Sequence, residues 1–589
     1  MKQILPDIDS LSLAAQVAQL VVVRASGYLF DHQIRYPTWE PPSETLRYWL
    51  QDLGVGGVIL LGGSAGELAL RIQQLQEWAR IPLLMAADVE EGVGQRFAGA
   101  TWFPPPMALA AIAHQNPDQA IHDARQMGAV TAQEARAIGL NWVLAPVVDV
   151  NNNPNNPVIN VRSFGETPEI VSQLAIAFIQ GAQPYPVLTV AKHFPGHGDT
   201  AVDSHLDLPV IPHTLERLRE IELPPFKAAI AAGVDSVMSA HLQIPALDPE
   251  YPATLSHRIL TQELRQTLGF DGLIVTDALV MGAIANRYGA TEAAVLAVAA
   301  GVDVLLMPSD PVGAIQAVCA AVATGRIAAE QIRASVQRIW QAKRKVCIPA
   351  LVAEPSHAWE SMPPAVHPQD LTAHLAQPDA IALVDRILQD SLRIHHPQPS
   401  RFNHPSQTNH CRNLIILDDA LERDFLGHHT PAIAIPNTMG YHLQIVDSNT
   451  PTLPLDSNTD NGQPTLLQLF IRGNPFRGSA GLTHTAQDWL QFLIQSNQLQ
   501  ALVIYGSPYI LDTFLPTLPA DVPYVFTHGQ MPQAQRSPYK PYFNHKCIPC
   551  RDEINRVSTT PVWPLLSATP RRRSRWRHWL TVLIPVEVC

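Results

Sequence analysis

The chain has 589 residues, and its 40 basic and 52 acidic side chains give a formal net charge of −12. Hydrophobic residues make up 46% of the chain, which is too high a share for a disordered protein. The acidic balance argues against a general nucleic-acid binder, because phosphate contacts need a basic face. No run of 18 uncharged apolar residues is present, so the sequence predicts no integral membrane segment.

The N-terminal segment predicts a protein without a secretory signal. Asp7 and Asp9 interrupt the first apolar stretch, and no small-residue cleavage site follows a basic start. The six cysteines are too few and too scattered for a disulfide framework. We therefore expect a cytoplasmic protein.

The first 346 residues alternate between short apolar runs and longer helical patterns. Such runs are typical of parallel strands buried on both faces. The predicted strands are Leu20–Arg24, Gly57–Leu61, Pro82–Asp88, Trp142–Asp149, Val187–His193, Ser236–His241, Leu273–Asp277 and Val302–Met307.

Helical patterns separate these strands. The predicted helices are Asp118–Ile138, Glu169–Gln180, Thr214–Ala232, Ser256–Leu268, Ala293–Ala300 and Ile315–Ala323. Eight strands with interleaved helices favour an α/β fold of the (β/α)8 type, a TIM barrel, over residues 1–346. The alternative is an open, doubly wound α/β sheet.

Residues 347–365 are rich in Pro and Ala and predict a linker. Residues 366–535 then predict a second α/β domain. Its predicted helices are Pro368–Leu392, with a break at Pro378, and Thr485–Gln495. Its predicted strands are Asn413–Leu417, Ala432–Ile435, Leu466–Ile471, Ala501–Tyr505 and Tyr524–Phe526.

Residues 536–589 have no clear period and predict an irregular, basic, disordered tail. Cys547 and Cys550 form a CxxC pair, but no second ligand pair follows at zinc spacing, so ordinary thiols are favoured. The cluster of arginines and tryptophans at 571–579 is typical of a solvated tail, with anionic lipid or nucleic acid as the alternative partner.

Charged residues stand at the ends of five predicted strands of the barrel. The carboxyl ends of barrel strands form the mouth where barrel enzymes hold their chemistry. Several buried charges on one rim are costly unless they bind something. These residues are Asp88, Asp149, Lys192 with His193, His241 and Asp277.

The segment KHFPGHGDTAVDSH, Lys192–His205, is the densest in titratable groups. Its Pro and Gly residues predict a loop, so His193 and His197 do not share a helix face as a zinc-binding HxxxH pair does. Asp203 lies two residues before His205, where a carboxylate can orient an imidazole for acid and base catalysis. The competing interpretation of this pair is a hydrogen bond that only stabilises the loop.

Asp277 ends an apolar strand in VTDALVMGAI. A lone carboxylate at a barrel mouth can act as nucleophile, base or metal ligand, but no second acid follows to complete a metal site. The alternative is a cap on the next helix. Asp88 and Arg96 in DVEEGVGQRF, with Arg162 in NVRSFG, predict a pocket for a ligand with many hydroxyl groups.

These four motifs, in their order along the chain, resemble those of bacterial β-N-acetylhexosaminidases of glycoside hydrolase family 3. The resemblance covers about residues 5–345, and LFIRGNPFRG and VIYGSPY extend it loosely to about residue 535, as in the two-domain form of the family. One departure is DVEEGV at Asp88–Val93, where the family has Asp-Gln-Glu-Gly-Gly-Arg.

The resemblance implies a retaining exo-glycosidase that acts on terminal, non-reducing β-linked N-acetylglucosamine in muropeptides from peptidoglycan turnover. It implies that Asp277 is the nucleophile and that His205, paired with Asp203, is the general acid and base. It assigns sugar binding to Asp88, Arg96, Arg162, Lys192 and His193, and it implies no metal or organic cofactor.

Two alternatives stay open. One is a family 3 β-glucosidase or an N-acetylglucosaminide phosphorylase, because a neutral histidine acid repels a phosphate acceptor less than a carboxylate does. The other is a sugar-binding module without activity, against which the retained Asp203, His205 and Asp277 argue. The sequence indicates neither the aglycone nor an oligomeric state.

Overall fold

The first part of the chain folds into eight strands that all run parallel. In a computed structural model, residues 5–200, 208–346, 370–397, 411–421, 424–449, 462–472 and 480–539 are described. The strands are β1 (Val21–Ser26), β2 (Gly57–Leu61), β3 (Leu84–Ala87), β4 (Trp142–Val143), β5 (Val190–Phe194), β6 (Ser236–Ser239), β7 (Leu273–Thr276) and β8 (Leu305–Leu306).

These strands close into a barrel. One run has the order β4-β3-β2-β1-β8, and the other has the order β5-β6-β7. Parallel bridges between Trp142 and Leu188 and between Val275 and Val304 join the two runs at both edges. The ring therefore follows chain order, as in a (β/α)8 barrel, and the TIM-barrel prediction is confirmed.

Helices surround the barrel and cover the outer faces of its strands. They are α1 (Leu13–Ala18), α2 (Ser43–Tyr48), α3 (Ala65–Trp78), α4 (Met107–Ala113), α5 (Pro117–Ala137), α6 (Pro168–Ala182), α7 (Leu215–Glu220), α8 (Leu223–Ala231), α9 (Gly282–Tyr288), α10 (Ala290–Ala300), α11 (Pro311–Ala323) and α12 (Ala329–Val346). Trp49–Leu53 and Arg258–Thr267 are π-helical. The predicted helix Thr214–Ala232 is two helices, with Pro224 and Pro225 in the first turn of the second.

The second part of the chain builds another sheet. Its strands are β9 (Arg393–His395), β10 (Cys411–Leu417), β11 (Tyr441–Val446), β12 (Thr465–Ile471), β13 (Leu499–Gly506) and β14 (Tyr524–Thr527). Their order is β11-β10-β12-β13-β14-β9, and only β9 runs antiparallel to its neighbour. Its helices are α13 (Pro378–Asp390), α14 (Pro431–Thr438), α15 (Ala480–Gln495), α16 (Pro508–Phe514) and α17 (Pro532–Arg536). The predicted second α/β layer is confirmed.

One predicted strand of this layer is wrong. Ala432–Ile435 lies in α14, which begins at Pro431 after Thr430. A four-residue apolar run has no decisive period, and a proline at the first helical position favours helix, because its fixed φ suits the first turn and its missing N–H would have no partner there. Strand β11, which sequence reasoning missed, follows this helix directly.

None of the helices in the described part of the chain has the length and apolar character needed to cross a bilayer.

Candidate functional site

The carboxyl ends of β3, β5 and β7 bring the predicted charged groups to one rim of the barrel. Asp88 follows β3 directly, Lys192 and His193 lie within β5, and Asp277 follows β7 directly. Each strand is buried along its whole length, so the charged side chain is aimed by a rigid element.

Lys192 lies at the centre of a buried ion-pair network. Its Nζ is 2.7 Å from Asp88 Oδ1 and 2.7 Å from Glu90 Oε1. The Lys192 side chain is 1% exposed, whereas that of Asp88 is 36% exposed. The lysine charge is therefore held inside the protein, and the carboxylate of Asp88 faces the open mouth.

Arg162 completes this network from the loop after β4. Its Nε and Nη2 each donate to a different oxygen of Glu90, both at 2.8 Å, and its Nη1 donates to the carbonyl of Val158 at 3.0 Å. A planar guanidinium gripping a carboxylate at two points gives a fixed relative orientation. We call Asp88, Glu90, Arg162 and Lys192 the charge network.

Burial and charge act in opposite directions on these groups. Burial disfavours the ionised form of Glu90, but Arg162 and Lys192 outweigh it and hold the pKa of this carboxyl well below its usual range. Burial likewise opposes the charge of Lys192, yet Asp88 and Glu90 raise its pKa. Glu90 and Lys192 are therefore both charged near neutral pH.

A second buried cluster centres on Asp149. Its carboxylate accepts the backbone N–H of His193 and of His197, and its Oδ2 lies 2.8 Å from Nδ1 of His193. The two imidazole rings meet edge to face at 6.0 Å. Asp149 thus fixes both the loop after β5 and the orientation of the His193 ring.

His197 links this cluster to Asp277. Burial lowers the pKa of His197 to about 4, and the charges of Asp149 and Asp277 oppose that shift. The ring is therefore neutral at neutral pH. Asp277 itself is half-buried, and its Oδ1 accepts the N–H of Ala278 at 2.7 Å. It does not cap the next helix, which begins at Gly282.

The remaining predicted residues are placed differently. Arg96 is exposed, and its Nε donates to the backbone carbonyl of Asp88 at 3.0 Å. Asp203 and His205, with Cys547 and Cys550, lie outside the described residues. His241, two residues beyond β6, is buried between Thr254 and the carbonyl of Ala278. No group of three or more His, Cys, Asp or Glu side chains within the described ranges is placed to hold a metal ion.

Sequence reasoning missed Glu90, His197 and the part played by Asp149. Glu90 and Glu91 are adjacent, and no pattern in the sequence says which one points into the barrel. The sequence showed Asp149 as a charged residue at the end of a predicted strand. Its hydrogen-bond partners, however, are 44 and 48 residues away in the chain.

Comparison with known proteins gives matches to both parts of the chain. Residues 12–342 match the glycosyl hydrolase family 3 N-terminal domain, and residues 404–543 match the bacterial glycosyl hydrolase family 3 C-terminal domain. A β-N-acetylglucosaminidase of the family from Paenibacillus sp. str. FPU-7 has a similar structure, with a TM-score of 0.71 and 29% identity, covering 90% of this chain and 96% of that one.

Two curated relatives match shorter stretches. β-Hexosaminidase A of Pseudoalteromonas piscicida is 38% identical over 276 residues, 43% of this chain and 46% of that protein. A β-N-acetylglucosaminidase/β-glucosidase of Cellulomonas fimi is 31% identical over 372 residues, 62% of this chain and 63% of that protein. The chain thus spans less than two thirds of the length of either relative. Because the N-terminal domain match alone covers more than half of its residues, the chain belongs to glycosyl hydrolase family 3.

Proposed function

We propose that the protein is a retaining exo-β-N-acetylhexosaminidase that releases terminal, non-reducing N-acetylglucosamine. The observation that carries this proposal is the rim of the barrel, where Asp277 follows β7 at the same strand ends that carry the charge network. The names of the Paenibacillus and Pseudoalteromonas proteins support the sugar class.

The charge network suits recognition of a sugar rather than proton transfer. Its ion pairs keep Glu90, Arg162 and Lys192 charged and fixed, so Asp88 can present an oxygen to a hydroxyl without moving. Fixed polar groups bind the sugar hydroxyls and hold the ring in one orientation in the pocket.

The proposed reaction is a double displacement. Asp277 attacks the anomeric carbon while His205 donates a proton to the departing glycosidic oxygen, which leaves a glycosyl ester on Asp277. His205 then takes a proton from water, which attacks the same carbon and releases Asp277. Asp203 would hold His205 in its acid form. The roles of Asp203 and His205 rest on the sequence motif.

A muropeptide from peptidoglycan turnover is the substrate that we propose. It carries the terminal β-linked N-acetylglucosamine that the motifs imply.

Replacement of the nucleophile tests the mechanism. We expect Asp277→Ala to lose at least about 10²-fold in the release of p-nitrophenol from its N-acetyl-β-glucosaminide. Asp271→Ala, an exposed aspartate at the opposite end of the same strand, is the matched control and should stay within about twofold of wild type, as a surface change does. Full activity in Asp277→Ala would contradict the assignment.

A fluorinated sugar tests the covalent intermediate directly. A 5-fluoro N-acetylglucosaminyl donor with an activated leaving group should label the peptide that contains Asp277, since the fluorine slows both steps and the leaving group keeps ester formation faster than ester breakdown. A label on another carboxylate would exclude Asp277 as the nucleophile.

The name of the Cellulomonas protein favours a second candidate, activity on plain β-glucosides. The decisive comparison is kcat/KM on the p-nitrophenyl glucoside and on the N-acetylglucosaminide, each with and without inorganic phosphate. A glucose 1-phosphate or N-acetylglucosamine 1-phosphate product would identify phosphorolysis.

A further inference from the structure

The second sheet contacts the barrel at the loops that carry the charge network. Arg472 follows β12 directly, and Ser507 and Tyr509 follow β13. All three side chains reach across to barrel residues more than 300 positions earlier in the chain. The carboxyl ends of these two strands therefore face the mouth of the barrel.

Tyr509 bridges the two ends of the loop that contains Arg162. Its hydroxyl accepts a hydrogen bond from Asn151 Nδ2 at 2.9 Å and donates one to Glu166 Oε1 at 2.6 Å. Burial, with the neighbouring carboxylate of Glu166, raises the pKa of Tyr509. The hydroxyl group of Tyr509 therefore stays protonated near neutral pH and keeps both hydrogen bonds.

Ser507 and Asn151 hold the start of the turn Asn160–Arg162. Ser507 Oγ lies 2.9 Å from Asn160 Oδ1, and Asn151 Oδ1 accepts the backbone N–H of Asn160 at 2.9 Å. Asn160 has a φ of +43°, a left-handed conformation that asparagine adopts more readily than most side chains. Two residues later, Arg162 leaves this turn to grip Glu90.

Arg472 acts on the other side of the network. Its Nη2 is 2.6 Å from Oε1 of Glu91, whose other oxygen accepts the indole N–H of Trp102 at 3.0 Å. The Glu91 side chain is 1% exposed. Glu91 directly follows Glu90 in the chain. The second sheet therefore binds Glu91, whereas the barrel binds Glu90.

We propose that Tyr509, Ser507 and Arg472 are positioning residues for sugar binding. They fix the backbone conformation of both loops. Through Arg162 and Glu90, they also fix the positions of Lys192 and Asp88 at the mouth of the barrel. On this account the second sheet is part of the substrate site although none of the three needs to touch the sugar. Only the kinetic consequences of this proposal rest on the function proposed above. The positioning of the loops does not depend on it.

The test removes one hydroxyl group. In Tyr509→Phe we expect KM for the p-nitrophenyl N-acetylglucosaminide to rise about tenfold while kcat changes by less than about threefold, because the network binds ground state and transition state alike. Tyr48→Phe, a half-exposed tyrosine of α2, is the matched control and should retain both constants. Constants within twofold of wild type in Tyr509→Phe would overturn the proposal.

A double variant shows whether Tyr509 acts through Arg162. Arg162→Lys loses the two-point grip on Glu90. If the effect of Tyr509 passes through this grip, Tyr509→Phe in the Arg162→Lys background should change kcat/KM by less than about twofold. Losses that multiply would mean that Tyr509 acts by another route, and they would contradict the proposal.

Hydrogen exchange separates this proposal from the proposed function. In Tyr509→Phe, amides of residues 151–165 should exchange about tenfold faster than in wild type, and those in Tyr48→Phe should not change. Unchanged exchange in Tyr509→Phe overturns the positioning role whatever the activity. If the amides of Tyr509→Phe exchange faster but the wild-type protein cleaves no N-acetylglucosaminide, the positioning of the loop is supported and the proposed function is refuted.

Discussion

Glu90 joins two cations at the mouth of the barrel, and its charge decides whether they can stay buried. Arg162 contacts both of its oxygens, and Lys192 contacts one of them. The Glu90 side chain is 4% exposed, so water cannot replace it as a partner. A buried ion pair adds little net stability over an apolar core, but loss of one member leaves an uncompensated charge.

Neutralising Glu90 should therefore destabilise the fold. We expect Glu90→Gln to lower the free energy of unfolding by about 3–5 kcal/mol, the cost of breaking a buried pair. Urea unfolding followed by circular dichroism measures the change.

Glu292→Gln is the matched control for this experiment. Glu292 pairs with Arg326 on the surface, where both side chains are about half exposed. An exposed pair contributes about 1 kcal/mol or less, because solvent and salt screen it. Equal losses in the two variants would show that burial of the charge network does not matter.

At the scale of elements, α5 and α6 pack so closely that glycine is required where they cross. A Cβ at Gly181 would lie 1.9 Å from the carbonyl oxygen of Arg125, and one at Gly128 would lie 2.1 Å from that of Phe178. The obstacle in each case is backbone, which cannot rotate away. This contact holds two helices that follow one another around the barrel between β3 and β5.

Alanine at Gly181 should lower stability by about 2 kcal/mol or more, since the helices must separate. The same substitution at Gly66 in α3 meets no atom within 4 Å. There alanine should stabilise by up to about 1 kcal/mol, because it has the higher helix propensity. Thermal unfolding of the two variants should show shifts of opposite sign, and a stabilised Gly181→Ala would contradict the packing argument.

At the scale of the whole molecule, the barrel and the second sheet are joined by α13. Leu383, Val384 and Ile387 of this helix belong to the same buried cluster as the barrel core. Arg386 of the same helix pairs with the buried Asp123 of α5 at 2.7 Å. All the described residues lie in one compact unit, and the domain boundaries at residues 346, 365 and 535 stay predictions.

Buried histidines couple the stability of this unit to pH. Burial, with a smaller contribution from Arg393, lowers the pKa of His528 from 6.5 to about 3. Burial lowers that of His197 to about 4. Between pH 6.5 and these values the unfolded chain binds protons that the folded chain does not, so stability falls as the pH decreases.

We expect His528→Leu to reduce this dependence. Each histidine contributes a slope of up to about 1.4 kcal/mol per pH unit, and the variant should lose one such contribution between pH 6 and 5. Urea unfolding at several pH values measures the slope.

Thr527→Val is the control for the pH experiment. It changes the neighbouring buried side chain, whose Oγ1 has no hydrogen-bond partner, and it removes no titrating group. It should leave the slope of wild type. A slope in His528→Leu as steep as that of wild type would show that the ring is protonated in the folded protein.

The sequence predicted the parts of the site that depend on local order. The apolar runs of β3, β5 and β7 are buried on both faces. A charged residue at the end of such an apolar run is easily recognised in the sequence. Asp88, Lys192, His193 and Asp277 were found in this way. The roles assigned to them, and to Arg96, Arg162, Asp203 and His205, stay predictions.

By itself the sequence determined the barrel, the second α/β layer and the strand ends that carry charge, because periodicity and burial are properties of neighbouring residues. Only the tertiary structure decided that Glu90, and not Glu91, joins Lys192 and Arg162, and that Tyr509 and Arg472 reach the barrel loops. Those contacts join residues tens to hundreds of positions apart. The packing of whole sheets determines which residues pair, and the local sequence pattern does not contain this information.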